Sequence, residues 1–231
     1  MKILLKCPTR QRRARFVDTI YKWVEFADHP ESLGILVTAD SDDVSMGGFS
    51  EKDLPDSVAW KKVCFGTSKT KIEACNADMK EVDWEWDIVI LVSDDMIPIV
   101  RGYDTRIRSG MHESLDHVVW VYDGLQNGIL NTLNIFGRVR YERWGYMYYP
   151  EYKSFFCDNE VTDWCKSHPM QCTVIPTVLI KHDHPLATGK GPDALYIKNQ
   201  VSYSEDKRLY DRRRMYTSTS RLGFLKLLSR R

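Results

Sequence analysis

The sequence predicts an α/β domain built on a largely parallel sheet with helices packed against it. Three observations carry this. Apolar runs of strand length recur at residues 3–7, 34–39, 62–66, 87–92 and 118–122. Segments with helical spacing alternate with them, the pattern of βαβ units. The runs at 3–7, 34–39 and 87–92 each stop at a polar cluster: Pro8-Thr9-Arg10, Asp40 and Asp94-Asp95. In a parallel sheet such strand ends lie along one edge, where open α/β sheets bind their ligands. Three clusters from three strands then line one crevice.

The elements follow in order. Residues 3–7 read as a buried strand ended by Pro8. From 10 to 27, Ala14, Val17, Ile20, Tyr21 and Val24 recur at helical spacing and form one apolar face. A second strand over 34–39 stops at the acidic loop Asp40-Ser41-Asp42-Asp43, and a third, short one spans 62–66. Residues 68–79 read as a helix capped by Ser68. The clearest strand is 87–92, and a helix over 104–115 leads to the strand at 118–122. The second half is less regular. It holds a strand over 131–136 and an aromatic stretch over 138–149 (Tyr141, Trp144, Tyr146, Tyr148, Tyr149). Then come Asp158-Asn159-Glu160, a helix over 161–167, and a β-rich run over 173–181 ending at His182-Asp183-His184. A loop at 189–192 and a helix over about 194–216 follow.

With 231 residues, the chain fits one domain with an appendage. The division falls near residue 200: 1–100 and 101–200 are the two halves of the domain, and 201–231 is a helical, basic C-terminal tail. The tail carries nine Lys/Arg against three acids, a charge of +6, while residues 1–200 sum to −5. A basic tail on an acidic body points to contact with a polyanion or a membrane surface, or to a solvated face that packs on the body. No apolar run approaches the roughly 20 residues of a membrane span. The six cysteines form no CxxC pair, which removes zinc ribbons and thioredoxin-type sites and fits reduced thiols in a cytoplasmic protein.

Other classes are removed by missing motifs. There is no GxxxxGK[ST] loop, no GxGxxG after the first strand and no GxSxG elbow, so P-loop, dinucleotide-binding and α/β-hydrolase readings lack support. What remains is a set of acids, imidazoles and cations. Adjacent Asp94 and Asp95 repel each other and are relieved by a hard divalent cation, Mg²⁺ or Mn²⁺. His182 and His184 are two residues apart, so on a strand their rings share a face; imidazole beside carboxylate shifts the preference toward Mn²⁺. Asp158 and Glu160 precede a helix beside aromatic residues. A carboxylate there can serve as a general base with a raised pKa, or Asp158 can simply cap the helix. Arg10, Lys69 and Lys71 stand at or just before helix starts, where phosphate binds.

Taken in order, these clusters resemble the GT-A fold nucleotide-sugar glycosyltransferases, inverting and family-2-like, over residues 1–200. The resemblance rests on Pro8-Thr9-Arg10, Asp40, the helix holding Lys69 and Asn76, Ser93-Asp94-Asp95 in the place of a DxD motif, Asp158-Asn159-Glu160, and a late histidine. It implies a Rossmann-like, mainly parallel sheet flanked by helices. It implies that Thr9, Arg10 and Asp40 embrace the nucleoside, that Lys69 and Asn76 line the donor, and that Asp95 holds the metal with His184 or His182. Ser93 departs from the family's first aspartate, which leaves the ribose contact to Asp94 or Ser93. Asp158, and after it Glu160, takes the place of the base that deprotonates the acceptor hydroxyl.

The implied activity is transfer of a sugar from a nucleoside-diphosphate sugar, a UDP-sugar by family habit, with Mn²⁺ or Mg²⁺ as cofactor. The small size and Arg-rich tail look like glycosyltransferases of bacteriophage type, some of which modify DNA. A hydroxymethylated pyrimidine in DNA is then a candidate acceptor, in the host cytoplasm, with tail cations on phosphates and the base flipped toward the aromatic stretch. Two rivals remain at this level: a nucleotidyltransferase acting on a sugar phosphate, and a non-catalytic nucleic-acid-binding protein. The sequence leaves the oligomeric state open.

Overall fold

The apolar runs at the start of the chain become parallel neighbours at the centre of a sheet. In the computed structural model, which describes residues 1–184, 197 and 200–214, β1 (Ile3–Thr9) lies between β2 (Leu33–Asp40) and β4 (Ile88–Leu91), parallel to both. All eight residues of β2 are buried. Strands this apolar on both faces belong to sheets covered on both sides. The remaining strands are β3 (Trp60–Gly66), β5 (Met96–Pro98), β6 (Val118–Tyr122), β7 (Ile135–Gly137), β8 (Cys172–Val178) and β9 (Ile180–His182). Of the nine strands in the described residues, seven form one sheet in the order β3-β2-β1-β4-β7-β6-β8, and β5 pairs with β9 apart from it.

The helices are α1 (Arg13–Glu25), α2 (Lys71–Asn76), α3 (Tyr103–Gly110), α4 (Arg138–Trp144), α5 (Cys157–Ser167) and α6 over 203–214. Alternate strand residues face opposite layers. Ile3, Leu5, Ile35, Val37, Ile88 and Ile90 join Phe16, Ile20 and Trp23 of α1 and Tyr103 and Ile107 of α3. Leu4, Leu36 and Val89 face the other way, onto Ile72 of α2, Cys157, Val161 and Cys165 of α5, and Leu209 and Tyr210 of α6. Four cysteines, Cys7, Cys75, Cys157 and Cys165, are buried in these layers.

Several elements differ from the sequence expectation, each for a local reason. The sheet is mostly parallel, as expected, and departs from that only at β7, which runs antiparallel to both β4 and β6. The strand expected over 131–136 shrinks to three residues: the Asn131 N–H turns away to the Thr162 hydroxyl at 2.9 Å. Gly137 closes β7 where a Cβ would strike the carbonyl of Leu115. The helix expected from Ser68 starts later and is capped by Thr70, whose Oγ1 accepts the Glu73 N–H at 3.1 Å. The Ser68 N–H is already donated to Asp40. Asp78, left-handed at φ 65°, opens the 3₁₀ turn that follows that helix. The aromatic stretch contains a helix, α4, ended by left-handed Gly145. α5 begins four residues earlier than expected, with Phe156 at φ 61° as its N-cap, so Asp158 sits inside the first turn and does not cap it.

The expected helix over 194–216 is helical over 203–214; the loop at 189–192 and the tail beyond 214 lie outside the described residues. α6 is bound to the body through Asp206, 1% exposed, whose carboxylate accepts the backbone N–H groups of Lys153, Ser154 and Phe155 at 2.8–2.9 Å. Among the described residues, no helix is long and apolar enough to cross a membrane.

Candidate active site

Five parallel strands deliver their C-terminal ends to one edge. Thr9 and Arg10 follow β1, Asp40 ends β2, Ser68 to Lys71 follow β3, Ser93 to Asp95 follow β4, and Asp123 follows β6. The N-terminus of α5 and the end of β9 join them. α1 runs beneath the β4 end as a rail: Thr19 Oγ1 donates to the Asp94 carbonyl at 2.9 Å and Trp23 Nε1 to the Met96 carbonyl at 2.8 Å.

At the β1–β2 side, Arg10 forms an ion pair with Asp40 at 2.6 Å and a two-point pair with Asp42 at 2.6 and 2.9 Å. The other Asp40 oxygen accepts the Ser68 N–H at 3.1 Å. Thr9 is buried, and its hydroxyl has no partner among the described residues. Lys69 is exposed above α2. Asn76 is engaged elsewhere: its amide donates to the Tyr148 carbonyl at 2.7 Å and accepts the N–H groups of Met147 and Tyr148 at 2.9 and 3.0 Å. It braces the loop after α4 and offers no free polar atom in that arrangement.

The two aspartates after β4 have different surroundings. Asp94 pairs with Arg12 at 3.1 Å, while burial and the adjacent Asp95 charge push its pKa up. Asp95 accepts the Ser93 hydroxyl at 2.5 Å. Burial opposes its charge, but the His182 cation, Ser93 and Lys71 together hold its carboxyl well below the usual range.

His182 is fixed from both sides by backbone. Met96 faces it across the β5–β9 pair. The His182 N–H donates to the Asp123 carbonyl at 2.9 Å, and the Asp183 N–H to the Asp95 carbonyl at 2.8 Å. Its ring lies between carboxylates, Nδ1 at 3.1 Å from Asp123 and Nε2 at 3.7 Å from Asp95. Burial works against its charge, yet these acids raise its pKa to about 9. The His184 ring stands perpendicular at 5.2 Å, its pKa lowered by burial and by the His182 charge.

Asp158 and Glu160 diverge. Burial raises the Asp158 pKa, and Lys71 only partly offsets it. Lys71 is open to water yet ringed by protein, as a side chain in a concave cleft is. That crowding lowers its pKa, and the Cys157 and Cys75 thiols with the Asp158 and Asp95 carboxylates more than restore it. Glu160 points into a separate cavity of about 540 Å³, with Trp144, Tyr146, Tyr149 and Trp164 among its walls. There Arg213 binds it at two points, both 2.7 Å, and Tyr152 donates to it at 2.8 Å.

The structure thus brings Asp95, His182, His184, Asp158 and Lys71 to one crevice, with Thr9, Arg10 and Asp40 on its β1–β2 side. Glu160 and the aromatic wall lie elsewhere, and Asn76 is occupied. Asp123 was not singled out from sequence. Its signal was available: it is one more acid immediately after a buried strand, the criterion that selected Asp40 and Asp94-Asp95. Among the described residues no group of three or more His, Cys, Asp or Glu forms a ready-made metal cage. The Asp95–His182 pair does fit a divalent cation that takes its other ligands from phosphate and water.

The architecture is shared with known enzymes. The chain superposes on a mannosyltransferase of Pyrobaculum calidifontis in complex with GDP-Man and Mn²⁺, with a TM-score of 0.58 at 14% identity over 78% of this chain and 56% of that one. For TarS (1–349) of S. aureus the TM-score is 0.57 at 14% identity, over 82% and 63%, and its UDP-GlcNAc complex gives 0.59. The catalytic domain of Drosophila β1,4-galactosyltransferase 7, in complex with xylobiose, gives 0.51 at 13% identity. No family model and no curated protein sequence matches the chain. It therefore has the GT-A fold, and it spans 56% and 63% of the first two neighbours.

Proposed function

We propose that this chain is a metal-dependent, inverting glycosyltransferase that moves a sugar from a nucleoside-diphosphate sugar, a UDP-sugar first among them, to an acceptor hydroxyl. The observation that supports it is the convergence of the Asp95–His182 pair and Asp158 on one strand-end crevice of a GT-A fold. The neighbours solved with GDP-Man and Mn²⁺ and with UDP-GlcNAc make the same donor class the natural reading here.

Thr9, Arg10 and Asp40 contact the nucleoside; the buried Thr9 hydroxyl, without a hydrogen-bond partner among the described residues, gains one when the loop after β1 opens toward it. Asp95 and His182 hold Mn²⁺ or Mg²⁺, which as a Lewis acid stabilises the charge that develops on the leaving diphosphate. Lys71, which interacts electrostatically with both Asp158 and Asp95, adds a positive charge to the crevice. Asp158 accepts the proton of the acceptor hydroxyl. The acceptor oxygen bonds to the anomeric carbon as the bond from that carbon to the diphosphate oxygen breaks. Single displacement inverts the centre. Burial of Asp158 fits it to this task, since a base with a raised pKa is a better proton acceptor.

The charge asymmetry between tail and body favours a polyanionic acceptor that carries a hydroxyl, and hydroxymethylated DNA of the bacteriophage type is the first to test. The described part of the tail is largely neutralised by the body, through Arg213 with Glu160, Arg212 with Glu151 and Arg214 with Asp163. Phosphate contacts then fall to Arg208 and the cations beyond residue 214. Retention on such DNA that weakens steeply with salt supports this acceptor; equal turnover of a small acceptor at low and high salt, without retention, rejects it.

Thermal shift and donor hydrolysis with a panel of UDP- and GDP-sugars, with Mn²⁺ or with EDTA, test the donor half. A metal-dependent rise in melting temperature with one donor, absent in Asp95→Ala, is expected. A rise that is the same in Asp95→Ala, or no rise with any donor, removes the proposal.

A further inference from the structure

We infer that Asp123 is a positioning residue that sets the proton of His182, making His182, and not His184, the imidazole that shares the cation with Asp95. This rests on the donor-site reading above. Asp123 is 2% exposed. Its Oδ1 accepts the N–H groups of Leu125 and Gln126 at 2.9 and 2.7 Å, and its Oδ2 accepts the Thr132 hydroxyl at 2.7 Å. The carboxylate is therefore oriented by its own loop, independently of the histidine. His182 Nδ1 then lies 3.1 Å from Oδ2.

An ionised carboxylate only accepts hydrogen bonds, so Nδ1 must carry a proton to bond with it. A cation at this place takes the position of the second ring proton, and the lone pair of the neutral ring is then on Nε2, which faces Asp95. Pairing a ligating imidazole with a buried carboxylate fixes its tautomer and orientation. The separation on that side supports the same assignment. At 3.7 Å, Nε2 and Asp95 Oδ2 are too far apart for a good hydrogen bond. Yet the distance is below the roughly 4.2 Å spanned by two bonds of about 2.1 Å, a usual metal–nitrogen or metal–oxygen length. One ion fits between them. The backbone bonds from His182 to Asp123 and from Asp183 to Asp95 set this spacing before any ligand arrives. Ser93 completes the arrangement by donating to Asp95 Oδ1, which leaves Oδ2 for the ion.

Asp123→Asn gives a sharp test because it keeps the shape and reverses the hydrogen bonding. The two backbone N–H groups require the amide oxygen at Oδ1, so the NH₂ must take the place of Oδ2. It then donates to Nδ1, and the ring proton moves to Nε2, where it blocks the ion. Mn²⁺ binding is read by electron paramagnetic resonance in the presence of UDP and, separately, GDP, alongside melting temperature. Asp123→Asn and His182→Ala are expected to weaken Mn²⁺ binding roughly 10- to 100-fold. His184→Ala is expected to weaken it less than either. Thr132→Val removes one donor and leaves the carboxylate; a few-fold loss is expected, and it decides the case if Asp123→Asn does not fold.

Wild-type affinity in Asp123→Asn, or in Thr132→Val where that variant decides, overturns the assignment. So does a larger loss in His184→Ala than in His182→Ala. In those outcomes the wild type still binds Mn²⁺ with nucleotide, and the glycosyltransferase reading stands. If the wild type binds no Mn²⁺ with either nucleotide, both fall together.

Discussion

The two sides of α5 make an instructive pair. Asp158 and Glu160 are two residues apart, about 200° around a helix of 3.6 residues per turn. One faces a crevice of strand ends, where its charge is poorly solvated and the charged groups acting on it are Lys71 and His182. The other faces an aromatic cavity and is held by Arg213 and Tyr152. Sequence proximity made them alternatives for one role. Their surroundings make them different groups: a carboxylate bound at two points by a guanidinium is poorly placed to take a proton, and one opposed by burial is well placed.

The largest expected effect separates them directly. Asp158→Asn should lower donor turnover roughly 10²- to 10⁴-fold, the usual contribution of a general base, while Mn²⁺ and nucleotide still raise the melting temperature. Glu160→Gln should leave turnover within about twofold. Its cost should appear in stability, about 1–3 kcal/mol for disrupting a charge-assisted pair, or roughly 2–4 °C per kcal/mol in melting temperature for a chain of this size. Reversed results, with Glu160→Gln inactive and equally stable, would exchange the two roles.

A pH series sharpens the comparison further. With the Asp158 pKa raised, the acid limb of turnover should lie above the ordinary carboxylate range, and the rate should fall as pH drops through it. For stability the sign is opposite. A carboxyl with a raised folded pKa contributes stability below its unfolded value, about 3.9, and that contribution is lost as pH rises through the folded pKa. At neutral pH Asp158→Asn should therefore melt no lower than wild type, and lose this part of the pH dependence. A clearly lower melting temperature at pH 7 would show that Asp158 has a favourable structural partner.

The smallest effect lies deeper in the sheet. Lys6 is fully buried, donates to the Thr38 hydroxyl, which in turn donates to Asp78, and has its pKa lowered to about 8, by burial first. Between pH 8 and 10.5 the unfolded chain binds more protons, so this group should make stability rise with pH in that window. Urea midpoints of Lys6→Met against wild type at pH 7.5 and 10 would show the slope removed; an unchanged slope would place the titration elsewhere.

How far the sequence reached follows the same division. β1, β2, β4 and β6 were legible because each is an apolar run ended by polar residues, and the sheet edge followed from their order. The direction of β7 was not: three residues carry no period, and Gly137 marks only a close approach. The pairing of β9 with β5 joins segments more than 80 residues apart, so nothing local announces it. The place of Asp158 before an expected helix left cap and base both open, and only the fold put it in a crevice beside Lys71 and His182. The resemblance put Asn76 along the donor; only the fold revealed the 147–148 loop that claims its amide. Asp123 was overlooked because it stands alone, without the doublet that drew attention to Asp94 and Asp95.

The Asp206 carboxylate gives the C-terminal helix a reach beyond its own packing. It is the partner of three consecutive backbone N–H groups just ahead of α5. During synthesis that loop leaves the ribosome with those groups unmatched, and they stay so until residue 206 has been added. A chain stopped between 184 and 206 would contain the crevice side chains named above and still lack the carboxylate that anchors the segment just ahead of α5. The order of translation therefore makes the start of α5, with Asp158 in its first turn, one of the last parts of the crevice to be anchored, although it is encoded well before the end.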